Sequence, residues 1–209
     1  MIDSFHIVLL AVGSYLYGSI PFGYIIAFSL RKIDIRKQGS GNIGATNIAR
    51  ILGMNWGVLS FFLDASKAVV PFLIASWLFP GMAYLYRDIL LIVVSLSVIG
   101  HDYSCFLRFS GGKGMSTLFG LIFVFDFNIA LLMLTIWIVV LLIWGYVSLA
   151  SIMAVVSMIL WFCLFKYGLW GILFSVFFTI LALWQHRENI KRLLSGTEKV
   201  MFKQNFLGK

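Results

Sequence analysis

The sequence is poor in charged residues and in cysteine. Only 11% of its 209 residues are charged, whereas about a quarter are charged in an average soluble domain. A chain with so few charges cannot cover a water-soluble globule of this size, which excludes a soluble enzyme or binding domain. The only cysteines, Cys105 and Cys163, form no CxxC or metal-ligand spacing. They therefore define no disulfide framework, and no metal site is expected.

Apolar residues dominate instead. They make up 61% of the chain, and the mean hydropathy is +1.00. Because one membrane crossing needs about 20 helical residues, the length allows about five to seven crossings and leaves no room for a separate soluble domain. The apolar runs are continuous rather than alternating, which disfavours a membrane barrel. We therefore predict an all-α, polytopic integral membrane helical bundle that forms a single domain, residues 1–209.

Seven apolar segments are predicted to be helical. The first opens with Asp3 rather than with basic residues, so it is interpreted as a retained helix and not as a cleaved signal. The third and fourth are short, near 13 residues, and hydropathy alone leaves five or seven crossings open. The predicted helices are Ile7–Leu30, Trp56–Phe79, Asp88–Gly100, Met115–Phe127, Ile129–Tyr146, Ser151–Phe165 and Gly168–Trp184.

The basic residues favour seven crossings. Of the 16 Lys and Arg residues, 13 fall between helices one and two, after helix three, or in the C-terminal tail. Seven crossings place all three segments on one face, which the positive-inside rule assigns to the cytoplasm. We therefore expect the N-terminus outside and the C-terminus in the cytoplasm. With five crossings, Arg108 and Lys113 would face outward.

The first polar segment runs from Gly39 to Arg50. Its glycines allow the backbone N–H groups to converge on an anion, small polar side chains add donors, and an arginine suits phosphate oxygens. The glycine spacing imitates a Walker A loop, but Ala45 stands where that motif needs lysine, so nucleotide hydrolysis is disfavoured. A flexible interhelical loop is the alternative. The candidate residues are Ser40, Gly41, Asn42, Thr46, Asn47 and Arg50.

The second polar segment surrounds a lysine with glycines just before the fourth helix. Backbone donors, a helix N-terminus and an ammonium group together favour phosphate binding. The alternative is a turn whose lysine anchors the chain at the membrane surface. The candidate residues are His101, Gly111, Gly112, Lys113 and Gly114, although a lone histidine such as His101 is more often structural.

The third polar segment follows the last apolar helix. His186 and Asn189 share a helix face, where they could orient or deprotonate a hydroxyl group, and Arg192 follows. A basic amphipathic tail on anionic lipid is the alternative. Earlier in the chain, Asp64 and Lys67 lie within the second predicted helix. Charges in the bilayer are costly, so we expect them to pair or to face the bundle interior.

In combination these segments resemble the bacterial acyl-phosphate:glycerol-3-phosphate acyltransferases, the PlsY family, over essentially the whole chain. Each motif alone is weak, but their order between the apolar runs is specific. The matching motifs are Gly18-Ser19-Ile20-Pro21, Gly39 to Arg50, Asp64-x-x-Lys67-x-x-x-Pro71, Gly100-His101, Phe109 to Gly114, Gly145-Tyr146-x-Ser148-Leu149 and His186-x-x-Asn189-Ile190-x-Arg192-Leu193-x-x-Gly196-x-Glu198.

The resemblance implies transfer of a fatty acyl group from acyl phosphate to the sn-1 hydroxyl of glycerol 3-phosphate, giving lysophosphatidate and phosphate. It implies a multi-pass protein of the bacterial inner membrane whose motifs face the cytoplasm, functional as a monomer and without metal or cofactor. Catalytic roles are expected for Ser40, Arg50, Lys113, His186 and Asn189. Substrate binding is expected for Gly41, Asn42, Thr46, Asn47, His101, Gly111, Gly112, Gly114 and Arg192.

Other function classes explain less of the pattern. A small anion or phosphate-ester transporter would place its polar interruptions near the bilayer midplane in related halves, whereas these cluster towards one face. An inert membrane assembly subunit would not need clustered polar motifs, and nucleic acid is not an expected partner. The sequence contains no histidine followed five positions later by aspartate, a pairing that marks thioester-dependent glycerolipid acyltransferases.

Overall fold

The structure, a computed structural model, describes residues 4–79 and 87–201, and every regular element in those ranges is helical. The described part contains ten α-helices and two 3-10 turns, at Ile35–Lys37 and Cys105–Leu107. The predicted all-α class is confirmed. The helices are α1 (Ser4–Ser19), α2 (Phe22–Arg31), α3 (Ala45–Leu52), α4 (Met54–Leu78), α5 (Arg87–Asp102), α6 (Met115–Phe125), α7 (Phe127–Trp144), α8 (Val147–Leu164), α9 (Leu169–Gln185) and α10 (Arg187–Leu194).

The first predicted helix is broken at Pro21. A continuous helix over Ile7–Leu30 would need a backbone N–H at position 21 to donate to Tyr17, and proline has none. Instead the Ile20 N–H donates to the Tyr17 carbonyl at 3.2 Å, and α2 starts at Phe22. The helix is therefore interrupted at Ile20 and Pro21, although Ser4–Arg31 together still form one candidate membrane span.

Two short helices, α3 and α10, lie outside the seven predicted apolar helices. Part of the first polar segment, interpreted as a loop, forms α3, which is separated from α4 by Gly53 at φ 103°. At the other end of the chain α10 follows α9 at an angle of 62°. The remaining predicted helices are present with ends shifted by a few residues, and the third is longer than expected at 16 residues.

Five helical segments in the described part are long and apolar enough to cross a membrane, or six if the bent pair α9–α10 counts as one span. Helix α6 has 11 residues and extends about 16 Å, roughly half of a hydrocarbon core. The polytopic helical class is thus supported. The count of seven crossings and the orientation of the termini stay predictions.

The chain divides into two compact units, Met1–Phe125 and Asp126–Lys209. In the first unit α1 packs closely along α5, since a side chain at Gly18 or at Gly100 would overlap the backbone of the other helix. Small residues allow such close approach in membrane proteins, where packing rather than water exclusion drives helix association. Helix α6 approaches α4 in the same way, with Gly120 against the Ala65 backbone.

In the second unit α8 packs between α7 and α9. The Asp126 carboxylate caps α7 by accepting the N–H groups of Asn128 at 2.9 Å and Ile129 at 3.1 Å. The Thr179 hydroxyl on α9 donates to the Val155 carbonyl on α8 at 3.0 Å. The Thr179 bond holds α9, and hence the start of α10, against α8. That the whole chain acts as one domain stays a prediction.

Candidate active site

The first polar segment is held in shape by Asn47. This side chain is 2% exposed, and its Nδ2 donates to the carbonyls of Gln38 at 3.0 Å and Asn42 at 2.9 Å. Its Oδ1 accepts the Ser40 N–H at 2.9 Å and an Arg50 N–H at 3.4 Å. Both amide hydrogens are used within the segment. Asn47, predicted to bind substrate, therefore positions the loop instead of donating to a ligand.

The glycines of this segment are required by its backbone conformation. Gly39 and Gly41 have φ of 63° and 74°, a region that glycine adopts without the steric cost of a side chain. The resulting turn leaves the Ser40 side chain exposed, and the Asn42 side chain accepts the Gly44 N–H at 2.8 Å just before α3. Ser40 and Asn42 thus lie at the positive N-terminal end of a helix, where anions are favoured.

Arg50 and Thr46 lie on α3 rather than on a flexible loop. Thr46 is in the first turn, and the exposed Arg50 is one turn further along. Apart from its long contact with Asn47, the Arg50 guanidinium makes no hydrogen bond within the described residues. Its charge is therefore available to an anion.

The first glycine-rich segment and the 3-10 turn that precedes the second share one apolar cluster of the first unit. Ile43 and Ile48 anchor the first segment in this cluster, at 3% and 0% exposure. Leu107, which precedes the second segment, lies in the same cluster. The two segments therefore lie at the same end of the first unit.

The second glycine-rich segment lies against the C-terminal end of α5. The Gly112 N–H donates to the His101 carbonyl at 2.9 Å. A side chain on Gly111 would overlap that carbonyl, and one on Gly112 would overlap the His101 imidazole. The glycines are therefore needed for this close approach. Lys113 is half-buried in the same segment.

A buried ion pair supports this segment from α4. The Lys67 Nζ lies 2.7 Å from the Asp64 Oδ1 and 3.0 Å from the His101 Nδ1. All three side chains are at most 4% exposed. The expectation that Asp64 and Lys67 pair within the bundle is confirmed. Their connection to His101 was not expected, because it joins helices 34 residues apart.

His186 lies at the bend between α9 and α10, where it is 3% exposed. Its Nδ1 lies 2.8 Å from the Ala182 carbonyl oxygen, which can only accept. The Nδ1 therefore carries a proton, and in the neutral ring the Nε2 carries the lone pair. This tautomer suits a group that accepts a hydrogen bond from a hydroxyl.

The Glu198 carboxylate accepts hydrogen bonds from side chains of the third polar segment and from Ser148 on α8. Its Oε1 accepts from Asn189 at 2.7 Å and from Ser148 at 2.8 Å, and its Oε2 accepts from Arg192 at 2.7 Å. Burial raises the pKa of Glu198, but these three hydrogen bonds outweigh it and the pKa lies below its ordinary value. Arg192 was predicted to bind substrate, whereas its Nε–H donates to Glu198. Glu198 belongs to the C-terminal motif that begins at His186, but the sequence alone predicted no role for it.

A separate basic cleft of about 480 Å³ lies in the first unit. Arg36 on its wall is paired with Asp34 at 2.7 Å and lies 5.2 Å above the Tyr24 ring. None of the predicted site residues lines this cleft, which is formed by Tyr24, Arg36, Phe106, Leu107 and Arg108. Within the described residues, no group of three His, Cys, Asp or Glu side chains could hold a metal ion.

The family model for glycerol-3-phosphate acyltransferase matches residues 8–196 of this chain. That range covers both units and all three polar segments. The chain belongs to the glycerol-3-phosphate acyltransferase family.

Relatives in the family match nearly the whole chain. The glycerol-3-phosphate acyltransferase of Aquifex aeolicus is 41% identical over 198 residues, covering 90% of this chain and 96% of the relative. Those of Desulforudis audaxviator and Geotalea daltonii are each 42% identical, with at least 91% of this chain and 94% of the relative covered. The family expected from the motifs is thereby confirmed.

Two solved structures share the fold. The crystal structure of PlsY (YgiH), an integral membrane glycerol 3-phosphate acyltransferase, in its glycerol 3-phosphate form has a TM-score of 0.87 and 39% identity, covering 98% of this chain and 100% of that one. The lysophosphatidic acid form has a TM-score of 0.84 and 40% identity, covering 94% and 96%. This similarity supports an integral membrane protein, as the helices indicate.

Proposed function

We propose that this membrane acyltransferase takes its acyl group from acyl phosphate and transfers it to the sn-1 hydroxyl of glycerol 3-phosphate, forming lysophosphatidate and inorganic phosphate. One observation carries the proposal: the first glycine-rich segment and the turn that leads into the second share one apolar cluster, and each segment carries a cation. Two such segments suit two substrates that each carry a phosphate. The bound forms of the PlsY structures, named for glycerol 3-phosphate and lysophosphatidic acid, agree with this acceptor and product.

The reaction needs no protein nucleophile. The hydroxyl oxygen of glycerol 3-phosphate attacks the acyl carbonyl carbon, and the bond from that carbon to the bridging phosphate oxygen breaks. Phosphate leaves with the electron pair and takes the hydroxyl proton, so that hydrogen phosphate is released. A mixed anhydride is already activated, so the protein lowers the barrier mainly by orientation and by neutralising charge.

The described residues suit these tasks. Arg50 and Lys113 are proposed to bind the two phosphates, with Ser40, Gly41, Asn42, Thr46 and the glycines of the second segment as further contacts. In the second unit, His186 and Asn189 are proposed to orient the acceptor hydroxyl. Asn47 acts indirectly, because both of its amide hydrogens are used by neighbouring carbonyls, and Arg192 is held in place by Glu198 through its Nε–H.

The location of the reaction is also a proposal. We infer a multi-pass protein of the bacterial inner membrane that functions as a monomer, with seven crossings, the N-terminus outside and the polar segments on the cytoplasmic side. The concentration of basic residues in those segments supports this orientation. Phosphorylated substrates made in the cytoplasm could then reach the site directly.

Donor selection tests the proposed reaction. The purified protein in lipid is given glycerol 3-phosphate with either palmitoyl phosphate or palmitoyl-CoA, and lysophosphatidate is measured. We expect product from the phosphate donor alone, because a thioester lacks the phosphate that Lys113 and the glycines are proposed to bind. Product from palmitoyl-CoA, with none from palmitoyl phosphate, would contradict the proposal.

A further inference from the structure

The basic cleft of the first unit lies where an apolar surface meets basic residues. The cleft has a volume of about 480 Å³, and Phe106 on its wall is 60% exposed. Phe28, whose ring stacks on that of Tyr24, and Phe109 are also exposed. In a membrane protein, exposed apolar side chains contact lipid, and aromatic residues concentrate near the headgroups. We therefore expect the cleft at the level of the lipid headgroups.

Buried apolar neighbours anchor the two arginines of the cleft. Ile35 precedes Arg36 and is 0% exposed, and Leu107 precedes Arg108 and is 8% exposed. Both apolar residues belong to the cluster on which Tyr24 packs. The backbone at each arginine is therefore fixed to the same apolar cluster, unlike that of a cation on an unanchored surface loop.

The guanidinium of Arg36 is oriented before any ligand binds. Its Nε and Nη2 donate to the Asp34 carboxylate at 2.9 Å and 2.7 Å, and it lies 5.2 Å above the Tyr24 ring. Within the described residues its Nη1 makes no hydrogen bond, so these N–H groups remain for a ligand. A guanidinium group with free N–H donors matches the oxygens of a phosphate.

Arg108 supplies the charge that is not neutralised. Asp34 is the acidic partner of Arg36, whereas the side chain of Arg108 has no ion pair or hydrogen bond in the part of the chain that the structure describes. The cleft therefore combines oriented donors from one arginine with the full positive charge of another. A phosphodiester, which carries a single negative charge, complements this arrangement.

We propose that the cleft binds the phosphate of an anionic membrane phospholipid, with Arg36 and Arg108 as its ligands and with the lipid chains along the exposed aromatic residues. The lipid is a bound neighbour of the reaction site and not a substrate. Basic pockets beside membrane helices recognise anionic headgroups in this way. The inference does not depend on which acyl donor the protein uses.

Native mass spectrometry of the full chain, released from detergent, tests the lipid selectivity. The protein is titrated with phosphatidylglycerol or with phosphatidylcholine of the same acyl chains, and the lipid-bound population is measured. We expect one phosphatidylglycerol to bind at least about tenfold more tightly, because the choline group neutralises the phosphate charge that strengthens these hydrogen bonds. Equal affinities for the two lipids would overturn the proposal.

Competitors identify the site and the kind of anion. Saturating glycerol 3-phosphate should leave the phosphatidylglycerol bound, and inorganic phosphate at the concentration of the lipid should not displace it. Displacement by glycerol 3-phosphate would place the lipid in the acyl-transfer site and overturn the proposal. Displacement by inorganic phosphate would indicate a site for small anions and would also overturn it.

Arg108→Asn and Lys166→Asn form a matched pair of variants. The two positions have φ of 54° and 57°, a region that asparagine adopts more readily than most residues, so both variants should fold. Each variant also removes one positive charge. Arg108→Asn should weaken phosphatidylglycerol binding at least about tenfold, as expected for a lost hydrogen bond between charged groups, and Lys166→Asn should leave it unchanged. Equal effects of the two variants would indicate diffuse charge and overturn the proposal.

Photo-crosslinking determines where the lipid binds. A phosphatidylglycerol with a diazirine near its headgroup is bound to the parent protein in nanodiscs, and the crosslinked peptides are identified. We expect crosslinks within residues 24–36 and 105–109. Crosslinks spread evenly over the apolar helices, or confined to the second unit, would overturn the proposal. Since no acyl donor is present, failure of the proposed reaction and failure of this inference are separate results.

Discussion

Replacing Asn47 with leucine should open the first glycine-rich segment while the rest of the first unit stays folded. Leucine has nearly the same size and shape, so no large cavity forms, but every polar atom of the amide is lost. Three hydrogen bonds of 2.9 to 3.0 Å disappear, to Gln38, Asn42 and Ser40. The loss is confined to the segment because Ile43 and Ile48 keep their apolar contacts.

The magnitude follows from the number of bonds. Each buried hydrogen bond contributes about 1 kcal/mol net, so the closed segment loses about 3 kcal/mol, which corresponds to a rise of about 150-fold in its opening equilibrium. Hydrogen exchange of residues 38–44 should accelerate by up to this factor. Exchange in α4 should stay as in the parent. Acyl transfer should fall, with a higher KM for glycerol 3-phosphate.

Asn55→Leu provides the matched control. This asparagine lies in the first turn of α4 and is exposed, so the same substitution there removes none of the bonds within the segment. It should leave exchange of residues 38–44 and activity nearly unchanged. Exchange and activity like those of the parent in Asn47→Leu would refute the assignment of Asn47 as the residue that holds the segment.

Further predictions concern charge, packing, pH and topology. Arg50→Ala and Lys113→Ala should each lower the transfer rate by about 10²–10³-fold, whereas the exposed Lys191→Ala should change it little; equal losses in all three would indicate diffuse surface charge rather than a site. Gly112→Ala should raise the KM for acyl phosphate, because its Cβ would push the segment off the His101 ring; unchanged kinetics would contradict this packing. The pKa of the Glu198 carboxyl is lowered in the folded chain. The stability that this carboxylate contributes is therefore present above its unfolded pKa near 4.5, and it is lost as the pH falls through the folded pKa. Limited proteolysis of the C-terminal segment should therefore increase as the pH falls below the unfolded pKa, and Glu198→Gln should make proteolysis depend less on pH. With Cys105 and Cys163 replaced by serine, a cysteine at Ser110 should resist an impermeant thiol reagent in intact spheroplasts while one at Lys166 reacts; efficient labelling at Ser110 from outside would overturn the proposed topology.

The sequence predicted the helical architecture well because apolar runs of membrane length have few alternatives. It did not predict the break at Pro21, although a proline within an apolar helix is a recognised signal for one. It also missed α3, because the small residues from Ala45 to Asn47 are as typical of loops as of helix starts.

The sequence predicted which residue types form the candidate site. It did not predict which of them are occupied by hydrogen bonds to neighbouring residues. Asn47 looks like a ligand donor in the sequence, and only the structure shows that the carbonyls of Gln38 and Asn42 accept both of its amide hydrogens. The link from Lys67 to His101 depends on how α4 packs against α5, which periodicity within one helix cannot indicate.

A structure with a bound, unreactive acyl phosphonate would test the central claim most directly, namely that the second glycine-rich segment binds the phosphate of the acyl donor. We expect the phosphonate on Gly111–Gly114, with its oxygens within hydrogen-bond distance of the Lys113 ammonium. A phosphonate bound instead in the cleft between Arg36 and Arg108, with the glycine-rich segment empty, would contradict the account.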